Sequence, residues 1–273
     1  MALRMARPYL APYACTRSRH DFTQPQLMAC LVVKTVTRND YRGVCELLTL
    51  APALRRALAL DKVPHWTTLQ KFMARPGVPL IVDQMIGEIV KSVGAADQPL
   101  DVAVDSTALQ CGVASLHYQA RRGAKNHTRR KTVKISLAVL CGLMLPAALQ
   151  VGLGSSSDME QMPALMQRIE ERTRPASLLA DSGYDAEWVH EICRERWQAQ
   201  SAIPPVIRTK DGTIRTKWRS LMRQLPVIYG RRWHAESFMS GFKRTMLSTL
   251  SSRKESTLLA EASIKVLAYA IRR

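Results

Sequence analysis

The stretch Tyr229 to Lys243, Y-G-R-R-W-H-A-E-S-F-M-S-G-F-K, sets one carboxylate among cations and a phenol. Read as a helix of about 3.6 residues per turn, it projects Tyr229, Arg232, Glu236 and Lys243 from roughly one face. A carboxylate able to hold a metal, beside side chains able to hold phosphate, is what hydrolysis or transfer at a phosphodiester needs. A solvated helix surface reads the same way, with Arg232 and Glu236 as an i,i+4 pair worth only tenths of a kcal/mol. The elements around the stretch have to decide between the two.

Two further acids close strand-like runs. L-D-V-A-V-D, Leu100 to Asp105, alternates and ends on Asp105, while the apolar run Ala176 to Ala180 delivers Asp181. Carboxylates at the ends of central strands meet at one rim of a sheet, where ligands sit. Three such groups close together repel and raise pKa values unless a divalent cation is bound, and hard oxygen donors of this kind select Mg²⁺ or Mn²⁺. Singly, each acid is as well explained by a strand end or a helix surface. They lie 76 and 55 residues apart, so only a common fold unites them.

The elements that must position them follow in order. Helices are predicted after Thr23-Gln24-Pro25, after Asp40, from Pro52, from Thr67 or Thr68, and over Pro79 to Val93. These short helices suit a helix-turn-helix-like unit or a bundle packed on the next layer. Strands follow over Leu100 to Asp105, Thr132 to Leu140 and Leu143 to Leu153. A helix over Met162 to Arg172, the strand ending at Ala180, a helix capped by Asp185, a strand over Ser201 to Ile207 and the helix of Glu236 complete the order. The expected class is α/β, a ribonuclease-H-like mixed sheet flanked by helices, behind an N-terminal all-α region. The divisions are a flexible basic arm over 1–22, interrupted by Pro8 and Pro12, a helical and possible DNA-binding domain over 23–97, and a catalytic domain over 98–273.

Charge points to a polyanionic partner. Among 273 residues, 40 Lys and Arg against 22 Asp and Glu give a net +18, and each phosphate neutralised releases counterions from nucleic acid. The excess is clustered: Arg121, Arg122, Lys125, Arg129, Arg130, Lys131 and Lys134 follow one another without an intervening acid, and from Arg208 onward 15 basic residues face 4 acidic ones. Six scattered cysteines without a C-x-x-C pair give no zinc knuckle or disulfide framework, which suits a reducing cytoplasm. The charge-free run of 23 residues from Ile135 to Ser157 is broken by Gly142, Pro146 and Gly152, and reads as two strands rather than a membrane span. Trp218 and Trp233 are read as core residues, His234 as structural, Asp158 as a loop acid.

D-S-T at Asp105, A-D-S-G-Y-D around Asp181 and Y-x2-R-x3-E-x6-K from Tyr229 to Lys243 together resemble the signatures of DDE transposases of bacterial and archaeal insertion sequences. The resemblance covers about Asp101 to Lys243. Some members carry a β-rich insertion between the second Asp and the Glu, and this chain is similar to the compact members without it. The resemblance implies that Asp105, Asp181 and Glu236 are catalytic and hold two Mg²⁺ or Mn²⁺ ions, for two-metal phosphoryl transfer. It implies that Tyr229, Arg232 and Lys243 bind DNA near the cleaved end, with Arg121, Arg122, Arg129, Arg130 and Lys131 tracking phosphates. The partners implied are terminal inverted repeats and target DNA, bound by a dimer or larger assembly in the cytoplasm at the nucleoid. The activity implied is cleavage at element ends and 3′-OH strand transfer. A transposase-derived DNA-binding protein without chemistry, and a ribonuclease-H-like nuclease without strand transfer, are the competing readings.

Overall fold

The structure, a computed structural model, describes residues 1–17, 19–112, 132–154 and 157–273. The chain opens with α1 (Ala2–Ala6), α2 (Gln24–Val36), α3 (Tyr41–Leu50), α4 (Pro52–Ala57), α5 (Trp66–Met73) and α6 (Val78–Ser92). Local chemistry chooses their starts. Thr23 and Gln26 form a reciprocal capping box ahead of α2, Asp40 Oδ1 accepts from the Gly43 N–H at 2.6 Å, and prolines open α4 and α6 where no N–H is needed. α5 begins slightly earlier than its threonines predict, because the His65 Nδ1 accepts from the Thr67 N–H and takes the capping role.

Residues 2–10 do not behave as part of the flexible arm expected over 1–22. The five-residue α1 ends before Pro8, so the prolines do not interrupt it. Met5, Ala6 and Leu10 are buried, and the Tyr9 hydroxyl donates to Glu88 Oε1 of α6 at 2.5 Å. Apolar burial holds this segment down despite its arginines.

The second part of the chain contributes β1 (Pro99–Cys111), β2 (Thr132–Leu140), β3 (Leu145–Leu153), α7 (Asp158–Arg172), β4 (Arg174–Leu179), α8 (Glu187–Glu191), β5 (Gln200–Ala202), α9 (Lys217–Leu221), α10 (Trp233–Met246), β6 (Thr249–Leu250) and α11 (Glu255–Arg272). The six strands form one mixed sheet in the order β3-β2-β1-β4-β5, with β6 also on β1. β1, β2 and β3 are antiparallel neighbours, whereas β4 and β6 run parallel to β1, and β5 parallel to β4. This is the α/β, ribonuclease-H-like arrangement the element order predicts. β1 continues well past Asp105 because β2 pairs with it as far as Gln110. The strand expected over 201–207 stops at Ala202, ahead of Pro204 and Pro205, which have no N–H to offer a ladder. The charge-free run is β2 and β3, and among the described residues no helix is long and apolar enough to cross a membrane.

Strand periodicity divides the core into two layers. Ala103, Leu109, Ile135, Leu137 and Val139 join a cluster built from the N-terminal helices, α10 and α11, while Val102, Val104, Ala138 and Leu140 join one under α7 and α8. α11 packs on α2, α6 and β3, so the N-terminal helices form a covering layer that shares its core with the sheet.

One buried group makes stability depend on pH. His190 of α8 is fully buried, its Nδ1 shares a hydrogen bond with Ser201 Oγ at 2.8 Å, and burial pushes its imidazole from the usual 6.5 down to about 4, against the pull of Asp185 and Glu187. The unfolded chain takes up a proton near pH 6.5 that the folded chain refuses until about pH 4. Stability from this group is therefore full above pH 6.5 and falls as pH drops through that window, by about 3 kcal/mol in all. In thermal melts, His190→Gln flattens the loss of Tm between these pH values relative to wild type. Parallel curves would show that His190 does not stay neutral in the fold.

Candidate active site

Asp105 sits where, among the described residues, one edge of β1 has no paired strand. β4 pairs with β1 only as far as Ala103, opposite Leu179, and β6 takes over only at Gln110. Continuing the parallel register two residues beyond Ala103 and Leu179 sets Asp105 beside Asp181, on strands about 5 Å apart. By parity Asp105 belongs to the face of Ala103, which α10 covers, and Ser106 to the opposite face under α7. Each carboxylate is fixed locally. Asp105 Oδ1 accepts from the Ser106 N–H at 2.8 Å, and Asp181 Oδ1 from the Gly183 N–H at 2.8 Å, capping a 3-10 turn, Ser182–Tyr184.

Glu236 reaches this site from the first turn of α10. Ala235, Phe238, Met239 and Phe242 bury the other side of that helix, which lies across β1 and β2. Three charges then act on Asp105. Burial raises its pKa above the usual carboxylate range, the Ser106 N–H opposes that, Asp181 and Glu236 push it further up, and Arg232 pulls it down. The three acids and Arg232 thus share one electrostatic neighbourhood, as their types and spacing predict.

The single helix read from Tyr229 to Lys243 is two pieces. Val227–Arg232 is a 3-10 helix and α10 starts only at Trp233. The tighter winding, about 3 residues per turn, rotates Tyr229 relative to an α-helical register, yet the Arg232 guanidinium still lies 5.9 Å from its ring centroid. Arg232 also pairs with Glu236, so the surface-helix reading of that pair is present in the same geometry as the site. Lys243 lies two turns beyond Glu236 on α10. Arg121, Arg122, Arg129, Arg130 and Lys131 lie outside the described residues.

Several side chains behave otherwise than predicted. Asp158 is the first residue of α7, not a loop acid; it accepts from Ser106 Oγ at 2.5 Å and pairs with Lys134 at 2.8 Å. Lys134, counted with the phosphate-tracking cations, is buried and engaged in that pair. A Cβ at Gly183 would stand 3.0 Å from both Asp158 Oδ2 and Asp181 Oδ1, so glycine lets the two carboxylates approach the same turn. Asp185 does not cap α8, whose N-cap is Ala186. It is buried and accepts both Arg219 nitrogens at 2.7 Å and the Val206 N–H at 2.7 Å, because a bidentate guanidinium offers a buried carboxylate more than one helix N–H can. Trp233 is half-exposed rather than in the core, stacked on His234. His234 is structural as read, its Nδ1 bonded to the Arg231 carbonyl at 2.7 Å.

Comparison with known families fits this site. The transposase DDE domain family matches residues 97–271, from just before β1 into the last turn of α11. The chain belongs to that family. It is accordingly a transposase of DDE type, and DNA is its partner. No curated protein and no solved structure matches it. Between Asp181 and Glu236 this DDE transposase has a single strand, β5, as the compact form predicts.

DDE transposases generally use divalent metal ions. The donors here fit such an ion in kind: burial first, and then the charges of Asp181 and Glu236, raise Asp105, and a dication offsets both. Among the described residues, no three His, Cys, Asp or Glu side chains stand close enough to form a ligand set as they are. Glu236 is half-exposed and held by Arg232.

Proposed function

We propose that this transposase cleaves DNA strands at element ends and joins the freed 3′-OH to target DNA, with Asp105, Asp181 and Glu236 as the catalytic carboxylates. The observation that carries the reading is the unpaired edge of β1, where Asp105 feels both Asp181 and Glu236 beside the Arg232 cation. In the first step an oxygen of water bonds to phosphorus at the element boundary, and the element's 3′ oxygen leaves as a hydroxyl. In the second that hydroxyl bonds to a target phosphorus and displaces the target's own 3′ oxygen, so the number of diester bonds is unchanged and no covalent protein intermediate is required.

Asp105, Asp181 and Glu236 would hold two Mg²⁺ or Mn²⁺ ions, which when bound acidify the attacking hydroxyl and neutralise charge on the leaving oxygen. The chain's own cations hold the substrate. Arg232 presents a planar fork to backbone phosphate once Glu236 turns from it, and Lys243 adds a point charge two turns along the same helix. Tyr229, under the Arg232 guanidinium, positions that fork. Residues 23–97 and the cations from Arg121 to Lys131 extend the DNA surface, and joining two ends calls for at least a dimer.

The test is Mg²⁺-dependent nicking by the purified protein of a duplex carrying the inverted repeats that flank its gene, followed by a gel assay for joined products. Nicked and joined products are expected. Nicking without joining would make the protein a nuclease, and binding without nicking would make it a DNA-binding descendant.

A further inference from the structure

A second cationic site lies away from the carboxylates, where the N-terminal helices meet the segment leading into α11. A cavity of about 550 Å³ opens there, and Lys34 of α2, Lys71 of α5, Arg253 and Lys254 converge on it. No carboxylate contributes to its lining, and the other polar groups there include Gln70, Ser252 and Thr257. Among the described residues none of the four cations makes an ion pair. Lys34 is half-buried and rests over the Tyr41 ring at 4.8 Å, and it feels the charges of Glu261 and Asp40. Holding four like charges around one concavity costs energy unless an anion is the intended occupant.

The site is built rather than incidental. Glu261 of α11, itself buried, accepts from the Ser251 N–H at 3.0 Å and the Ser252 N–H at 2.8 Å, fixing the turn that presents Arg253 and Lys254. It also accepts from the Ser251 hydroxyl at 3.1 Å and lies 4.0 Å from Lys265 Nζ. Lys34 also borders a neighbouring hollow that reaches Met246 and Leu247 at the end of α10, and Arg38 clamps the Thr245 carbonyl there at 2.6 Å. From Glu236 to Met246 is about 15 Å of helix at 1.5 Å per residue. α10, with Lys243 between its ends, thus links the carboxylate site to the hollow that adjoins the cationic cavity.

We infer that this cavity binds a phosphodiester of the same duplex that enters the carboxylate site, away from the bond that is cut. The inference rests on the DDE reading of that site. Contacts of this kind fix register without reading bases, so they act on any sequence.

The experiment uses the full chain and a fluorescently labelled duplex of random sequence, with affinity measured by anisotropy between about 50 and 200 mM salt. The triple variant Lys71→Ala, Arg253→Ala, Lys254→Ala changes exposed side chains only. Its plot of log affinity against log salt is expected to be shallower than wild type by about one, the contribution of one neutralised phosphate. The charge-keeping variant Lys71→Arg, Arg253→Lys, Lys254→Arg is expected to retain the slope. A triple-alanine variant with wild-type slope and affinity overturns the proposal, as does polyglutamate competing for the cavity as well as DNA does. Because a random duplex needs no cleavage, wild-type protein that binds it but never nicks end DNA would refute the DDE reading separately.

Discussion

Asp181→Asn abolishes nicking of end DNA while leaving the affinity for that DNA largely unchanged. The substitution keeps the shape of the side chain, and the amide oxygen still accepts from the Gly183 N–H that Asp181 Oδ1 now holds at 2.8 Å. What it removes is one negative charge beside Asp105. Loss of a group that merely orients a metal ligand costs about 10- to 100-fold in activity, so loss of a ligand charge should cost at least about 100-fold. Burial is the main cause that raises Asp105 and the Asp181 charge adds to it; the same change removes that addition, and Tm should stay level or rise slightly, as expected where stability is sacrificed to a site. Cleavage is read on a denaturing gel, binding by anisotropy, and fold by thermal melt. Unaltered nicking by the purified variant would remove Asp181 from the chemistry.

That the sequence places both aspartates and Glu236 near one another follows from how they are positioned. Strand alternation sets Asp105 on the α10 face, a short apolar strand ends just before Asp181, and the burial stripe of α10 leaves Glu236 half-exposed. Each of these signals is local. The groups that support them are not. Ser106 meets Asp158 across 52 positions, and Asp185 meets Arg219 across 34. In both cases a nearby role, loop acid or helix cap, was available and tertiary pairing displaced it. Lys134 shows the same limit from the other side: it closes a run of exposed-looking cations, yet β2 carries it into the sheet, where Asp158 neutralises it. The 3-10 geometry of Val227–Arg232 was equally hidden, since its residues satisfy a helical pattern of either pitch.

Asp83→Ala should be the most destabilising single change away from the site. Asp83 points from α6 into the join between the helical layer and the sheet, where it is 3% exposed. Arg172 of α7 donates to it through two nitrogens at 2.9 and 2.7 Å, Arg168 approaches at 3.1 Å, and the Leu149 N–H of β3 donates at 3.1 Å. One carboxylate thereby ties α6, α7 and β3 together. Removing it leaves the buried Arg172 charge and a strand N–H without their partner, which costs about 3–5 kcal/mol. For a chain of this size that corresponds to a Tm lower by roughly 10 °C. The loss comes from the stranded cation, not from the absent contact itself, and a double variant separates the two. Asp83→Leu with Arg172→Met removes both charges and keeps apolar volume, so it should recover most of the Tm lost by Asp83→Ala. If Asp83→Ala melts with wild type, the ion pair does not hold the two layers together. If the double variant melts as low as the single one, the cost lies in packing around Leu149 instead.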